Sequence, residues 1–165
     1  MKSWTTRPPE ERALLNPGFC SCLLWHAASG YQAAVQAPLP FDLAFLVLPI
    51  VLHRQTRESL PRATRTSLAV WIDEHPLARS HVADRGRTLL PFSKEAMILG
   101  GMHGLLDLNG VVVRANPQWK KRIVAELRTS TDEVRDCAKR AEFVGKWLAG
   151  SGSSGTVMAI LGVRP

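Results

Sequence analysis

The feature that most constrains this fold is a nearly unbroken apolar segment, LPFDLAFLVLPIVL, at residues 39–52. A membrane span needs about 20 largely apolar residues, and this segment has 14, including an aspartate and two prolines. Such a segment must be buried in a protein core, so it predicts a helix from about 42 to 52, kinked or ended at Pro49. The N-terminal residues contain no apolar leader segment, so we expect a cytoplasmic protein with no membrane segment.

The length of 165 residues is sufficient for one domain with a substantial core, since chains near 150 residues bury roughly 68–70% of their unfolded surface. Two prolines and mixed charges in residues 1–15 predict a flexible N-terminal arm that orders only against something else. Residues 16–165 are expected to form a single, mainly helical domain. The fold class predicted by these patterns is mainly α (α+β).

Asn16-Pro17 marks the best-supported helix, which we expect over residues 17–35. Asparagine is a favoured N-cap and proline is favoured at the first helical position, and the apolar residues that follow repeat every 3.6 positions. Proline, glycine and capping residues divide the rest of the chain into further helices. They are predicted at about 66–74, 76–90, 93–108, from the capping box at 130–133 to the GSGSSG break at 150–155, and at 156–161.

A probable β-hairpin follows the middle helices. Asn109-Gly110 is a turn sequence, Val111-Val112-Val113 favours a strand, and a second strand is expected between Gln118 and Glu126. Three short helices followed by a hairpin is the order of elements in a winged helix-turn-helix. The sequence therefore predicts a winged-helix-like part at 65–126, followed by C-terminal helices at 130–165.

No arrangement of residues predicts catalysis. Cys20 and Cys22 are two positions apart on one helix and do not face each other, so with Cys137 they are interpreted as buried structural thiols, with no metal site. The glycines of 150–155 spell G-x-G-x-x-G, but the dinucleotide-binding version follows a strand, and this one follows a helix. The histidines and carboxylates are scattered. We expect a protein that is not an enzyme and needs no cofactor.

Charge is the least ordinary property of the chain, since the net charge is +7 and arginine supplies 15 of the 21 basic residues. The arginine fork binds carboxylate or phosphate through two parallel hydrogen bonds. Directly after the apolar segment come Arg54, Arg57, Arg62 and Arg65, with Glu58 the only acid among them. We expect this stretch to lie across the surface and to bind either the carboxylates of an acidic protein partner or the phosphates of DNA. Internal salt bridges are the alternative, above all for Arg62 and Arg65.

A second basic cluster falls on the predicted wing and comprises Arg114, Trp119, Lys120, Lys121 and Arg122. An aromatic residue beside three consecutive cations suits a nucleic-acid-binding wing, in which the cations meet phosphates and the ring stacks on a base or on the backbone. The alternative is a polar hairpin with Trp119 turned into the core.

Most of the chain resembles the small middle components of bacterial three-component ABC systems, to which Lamassu-type defence operons are related. The resemblance covers 16–32, 39–76, 89–108 and 143–165. Its most specific parts are LPIVLHRQTRESLP with the following TRTSLAVW, and the terminal WLAG…LGVRP.

This resemblance implies a non-catalytic adaptor. Such a subunit joins an SMC-like or Rad50-like ABC ATPase to an effector, often a nuclease, in an anti-phage or anti-plasmid complex. It also implies that the arginine cluster and Arg164, beside the apolar C-terminal helix, bind partners, with DNA contacted directly or through the complex. We expect that terminal helix to be buried within the domain.

The alternative function is a stand-alone winged-helix DNA-binding protein. A regulator of that kind needs polar, base-reading residues on its third helix. Residues 97–108 offer mainly glycines and aliphatic side chains, which favours the adaptor.

Overall fold

The computed structural model describes residues 6–163, without the side chains of Glu10 and Glu11. The fold is mainly helical with one small antiparallel sheet, which confirms the predicted mainly α (α+β) class. Within the described residues the helices are α1 (Pro9–Leu14), α2 (Pro17–Val35), α3 (Phe41–Val51), α4 (Arg54–Ser59), α5 (Leu68–Glu74), α6 (Pro76–Met102), α7 (Lys120–Thr129), α8 (Asp132–Ala149) and α9 (Ser154–Leu161). The strands are β1 (Leu39–Pro40), β2 (Leu106–Asn109) and β3 (Val112–Ala115).

Helix α2 begins where the sequence predicts it. The side chain of Asn16 accepts hydrogen bonds from the backbone N–H groups of Gly18, at 2.8 Å, and Phe19, at 3.2 Å. These bonds satisfy donors that the start of a helix leaves without partners. Nearly all of α2 from Cys20 to Gly30 is buried, so it is the central helix of the core.

Helix α8 crosses α2 at backbone contact, and two glycines make this approach possible. A Cβ atom on Gly30 would come 2.2 Å from the carbonyl oxygen of Glu142, and one on Gly145 would come 1.9 Å from that of Ala27. Real Cβ atoms do not approach backbone atoms so closely. Any larger residue at Gly30 or Gly145 would therefore push the two central helices apart.

The apolar segment forms α3, which confirms the predicted core helix. Its residues from Leu46 to Val51 are all buried. Pro49 lies inside the helix, and the helix ends two residues later. None of the helices in residues 6–163 contains an 18-residue stretch apolar enough to cross a bilayer.

Helix α6 is longer than either of the two helices predicted for this region. It runs through Pro91 without a break, so the predicted end at residue 90 is wrong. The predicted helix over 93–108 is the last part of α6 and ends at Met102, before β2. A proline removes the hydrogen bond to the carbonyl four residues earlier. Both Arg87, which carries that carbonyl, and Pro91 are exposed. We infer that water solvates the freed carbonyl and limits the cost.

The predicted strand near Val111 is confirmed as β3, which pairs with β2 on one side and β1 on the other. The turn between β2 and β3 contains Gly110 with φ +54°, a conformation that favours glycine. The predicted second strand between Gln118 and Glu126 is wrong, because that stretch is a 3₁₀ turn followed by α7. The hairpin therefore precedes residue 116, and the winged-helix arrangement is not confirmed.

Part of the predicted N-terminal arm lies on α6. Arg7 is 4% exposed and forms an ion pair with Glu95 at 2.9 Å. Its guanidinium also lies over the ring of Phe92, 5.1 Å from the centroid. Arg7 thus contacts α6 through both its charge and the face of its guanidinium.

Helices α8 and α9 form the C-terminal part of the fold. Thr131, one residue after the start of the predicted capping box, is the N-cap of α8, and its hydroxyl accepts from the N–H of Val134. Helix α9 packs against α3, α5 and α6, with Val157 and Leu161 fully buried. The expected burial of this helix within the domain is confirmed.

Candidate interaction surfaces

Arg57 lies inside the protein. Its side chain is 2% exposed, and it forms ion pairs with Glu133 and with Asp136, the latter at 2.7 Å. Burial by itself would lower the pKa of Arg57, but the hydrogen bonds to Asp136 and Glu133, together with the charges of Cys137 and Glu133, raise it above its ordinary value. The expectation that Arg57 lies on the surface is wrong: this residue joins α4 to the first turns of α8.

The same arginine also completes the end of α3. A helix leaves its last carbonyl groups without intrahelical donors, and here two guanidinium groups supply them. Arg57 donates from Nη1 to the carbonyl of Val51 at 2.7 Å, and Arg85 donates from Nε to that of Pro49 at 3.2 Å. Arg85 also donates to the Thr56 hydroxyl at 2.7 Å. Cations at this position also interact favourably with the partial negative charge at the C-terminal end of the helix.

The remaining arginines of the first cluster, Arg54, Arg62 and Arg65, are exposed, as the sequence predicts. Arg54 pairs with Glu58 on the same helix, at 2.7 Å. In the described part of the chain, Arg62 and Arg65 form no ion pair, so the alternative of internal salt bridges applies to Arg57 instead. Both line one side of a surface concavity of about 570 Å³. Val70, which is 46% exposed, also lines it. We call the surface around this concavity, with Arg62, Arg65 and Val70, the Arg62/Arg65 surface.

Arg164, the fifth predicted partner-binding residue, lies outside the described residues. The helix that precedes it, α9, ends at Leu161 and is capped by Gly162, which has φ +68°.

The second basic cluster lies mainly on a helix and not on a wing strand. Arg114 is exposed on β3, and Lys120, Lys121 and Arg122 are exposed in the first turn of α7. Trp119 is neither fully exposed for stacking on a nucleic acid nor fully turned into the core, the two orientations that the sequence left open. Its ring is half-buried against the core, and the guanidinium of Arg122 lies 5.1 Å from the ring centroid.

The helical form of this stretch adds a cation that the sequence prediction omitted. Arg128 lies with Lys120 and Lys121 beside Val124 and Ala125 around one shallow depression. Positions four apart share a face of a helix, so this neighbourhood was visible only once the stretch was known to be helical. We call Lys120, Lys121 and Arg128 the α7 basic surface. Among residues 6–163, none of these three residues has an ion-pair partner, and neither do Arg114 and Arg122.

The thiols lie apart from both surfaces, whereas His75 lines the same concavity as Arg62 and Arg65. Cys20 is fully buried, and burial raises its pKa to about 12, so its reactive thiolate is essentially absent at neutral pH. Cys137 is buried and Cys22 half-buried. Across residues 6–163, no three His, Cys, Asp or Glu side chains come together in a way that holds a metal ion.

Taken together, these features define a small, mainly α-helical protein with two separate exposed cationic surfaces. The family model for the ABC-three component (ABC-3C) system Middle Component 3 matches residues 4–165, so the chain belongs to this family. The resemblance to middle components of three-component ABC systems is thereby confirmed. No curated protein matches the chain, and no solved structure matches it.

Proposed function

We propose that this protein is a cytoplasmic, non-catalytic adaptor that links an SMC-like or Rad50-like ABC ATPase to an effector, often a nuclease, in an anti-phage or anti-plasmid defence complex. The observation that carries the proposal is membership of the middle-component family over residues 4–165. A component of a three-component system acts through the other two, so it needs exposed surfaces that bind them.

The Arg62/Arg65 surface is the candidate for the main protein contact. Its two guanidinium groups form no ion pair among the described residues, although Glu74 lines the same concavity. They can therefore bind carboxylates on another protein. Val70, 46% exposed, adds an apolar contact beside the charges. A cation next to an apolar contact in a concavity fits an acidic partner segment that carries an apolar side chain.

Charge reversal at this surface tests the proposal. The double variant Arg62→Glu, Arg65→Glu should keep its fold, since surface changes usually alter stability by no more than about 0.5 kcal/mol. Co-expressed with the products of the two neighbouring genes, it should fail to co-purify with at least one of them. Lys94→Glu with Lys139→Glu makes the same change in net charge at other exposed positions and should leave co-purification intact. Equal recovery of both variants with the partners would reject this surface.

The adaptor proposal also makes a claim about isolated activity. The purified chain should neither hydrolyse ATP nor cleave DNA with Mg²⁺ or Mn²⁺ present, because the activity belongs to its partners. Cleavage that follows the protein through successive chromatography steps would overturn the non-catalytic role.

DNA binding is the second candidate, and the α7 basic surface favours it. Lys120, Lys121 and Arg128 are exposed around one depression and have no ion-pair partners in the described chain, and such cations bind phosphates and release counterions. The variant with Lys120, Lys121 and Arg128 all changed to Gln should bind duplex DNA more weakly, with a log–log salt slope smaller by about 3. An unchanged slope would exclude direct DNA contact by this surface.

A further inference from the structure

Helix α4 begins at an unusual cap, because its N-cap residue is a histidine, His53. Side chains that cap helices are mostly those of Ser, Thr, Asp or Asn, and none of these titrates near neutral pH. Here the Nδ1 atom of His53 accepts a hydrogen bond from the backbone N–H of Thr56 at 3.2 Å. A backbone N–H can only donate, so Nδ1 carries no proton and the proton of the neutral ring is on Nε2. The cap of α4 therefore exists in only one protonation state of His53.

The side chain of Thr56 connects this cap to α6. Thr56 is buried, and its hydroxyl lies 2.9 Å from Nδ1 of His53 and accepts a hydrogen bond from Nη2 of Arg85 at 2.7 Å. Since the hydroxyl receives that bond through a lone pair, its own proton is available for Nδ1. Arg85 also donates to the carbonyl of Pro49 in the last turn of α3. Neutral His53 is thus the final acceptor in a set of hydrogen bonds that joins α3, α4 and α6.

The surroundings of His53 disfavour its protonated form. Helix α6 contributes Arg85 and also His81, whose ring centroid lies 6.2 Å from that of His53, and α4 contributes Arg57. Burial lowers the pKa of His53 below its ordinary value, and the charges of Arg85, His81 and Arg57 lower it further. The folded protein therefore binds a proton at His53 less readily than the unfolded chain does.

The carboxylates of the neighbouring helices are engaged elsewhere. Those on α4, α6 and α8 form ion pairs with arginines, namely Glu58 with Arg54, Asp84 with Arg87, and Glu133 and Asp136 with Arg57. A protonated imidazole at the cap would thus add a positive charge beside two arginines, and a nearby like charge disfavours the charged form.

We propose that His53 is a pH-sensitive cap, which holds the start of α4 in place while its ring is neutral and releases it when the ring is protonated. A proton on Nδ1 would face the N–H of Thr56, so the cap bond would be lost. Because α4 has only six residues, and helices of this length are not stable by themselves, loss of the cap affects the whole helix. Ser59, its last residue, lines the same concavity as Arg62 and Arg65. Acidification should therefore also weaken partner binding at the Arg62/Arg65 surface, a consequence that rests on the proposed function.

NMR titration of the isotope-labelled full chain tests the cap directly. The ring signals of His53 should show a neutral ring protonated on Nε2 at neutral pH and a pKa below about 6.5, the value for an unfolded chain. The amide signal of Thr56 should shift with the same midpoint, and its protection from hydrogen exchange should fall as the ring is protonated. A pKa at or above about 6.5, a neutral ring protonated on Nδ1, or a Thr56 amide that does not follow the ring would overturn the proposal.

Urea denaturation at several pH values provides a second test. A pKa that is lower in the folded protein means that the contribution of His53 to stability is complete above about pH 6.5 and is lost as the pH falls through the folded-state pKa. His53→Asn is the matched variant, since asparagine caps helices without titrating, and its urea midpoint should decrease less on acidification than that of the unaltered protein. His81→Asn is the control and should keep the full decrease. Equal decreases in His53→Asn and the unaltered protein, or a smaller decrease in His81→Asn alone, would reject the cap.

Co-purification with the products of the two neighbouring genes tests the consequence for partner binding. At a pH below the folded-state pKa of His53, the unaltered chain should retain several-fold less partner than His53→Asn, and at neutral pH the two should retain equal amounts. Equal retention at both pH values would reject the effect on the Arg62/Arg65 surface, whereas the NMR and urea measurements on the isolated chain decide the cap itself.

Discussion

Two basic segments of this chain look alike in the sequence and have different roles in the fold. In 54–65, the central arginine is buried and ion-paired, and it donates to the end of α3. In 114–128, all five cations are exposed and unpaired among the described residues. The difference arises from the residues that face each segment in the folded protein. Helix α8 presents Glu133 and Asp136 one turn apart toward Arg57, whereas no described carboxylate pairs with the second segment. A cluster of like charges is therefore a binding surface only where the rest of the fold leaves it unpaired.

The largest effect is expected for Arg57→Met. This change removes two ion pairs and the hydrogen bond to the Val51 carbonyl, but Glu133 and Asp136 are partly exposed and regain water. We expect a loss of about 2–3 kcal/mol in the free energy of unfolding. Urea denaturation followed by circular dichroism measures it. A loss below about 0.5 kcal/mol would place Arg57 with the surface arginines and remove the contrast between the segments.

Arg85→Met should have the next largest effect. It removes the bonds to the Pro49 carbonyl and the Thr56 hydroxyl while keeping the apolar stem of the side chain, so we expect about 1–1.5 kcal/mol. The double variant with Arg57→Met tests whether the two arginines act together. Because both donate to the end of α3, their effects should differ from a simple sum by at least about 0.5 kcal/mol. Strict additivity would mean that each arginine stabilises α3 independently.

The α7 basic surface should contribute little to stability. The triple change of Lys120, Lys121 and Arg128 to Gln should shift the free energy of unfolding by no more than about 0.5 kcal/mol. The measurement is the same urea titration, run beside the DNA-binding assay. A larger loss would show that this surface, like Arg57, supports the fold.

The smallest effect is expected for Arg54→Met, which matches Arg57→Met in chemistry and lies one helical turn away. Arg54 is exposed, and its pair with Glu58 is screened by solvent. The urea midpoint of the Arg54→Met variant should equal that of the unaltered protein within experimental error. A clear decrease would mean that the exposed pair is needed to hold α4 in place for Arg57.

The sequence predicted elements well where local chemistry decides the conformation. Asn16-Pro17 fixes the start of α2 because both the cap and the proline act on neighbouring residues. The prediction from the sequence failed over 118–126, which was expected to contain a strand. There, Ile123 and Leu127 share a helical face against the core, and Pro117 begins a turn that leads into α7. It also failed at Pro91, where the carbonyl that the proline leaves without a donor belongs to the exposed Arg87 and can be solvated by water.

By itself, the sequence determined the fold class, the core helix at Pro49 and the family, since these depend on composition, periodicity and motifs spread along the chain. Only the tertiary structure decided which arginines are available for a partner, because Arg57 and Asp136 are 79 residues apart in the sequence. It alone brought Gly30 and Gly145 to the crossing of α2 and α8. It also brought Arg85 of α6 to Thr56 at the start of α4. Pairing and close approach are relations between distant segments, and no local pattern encodes them.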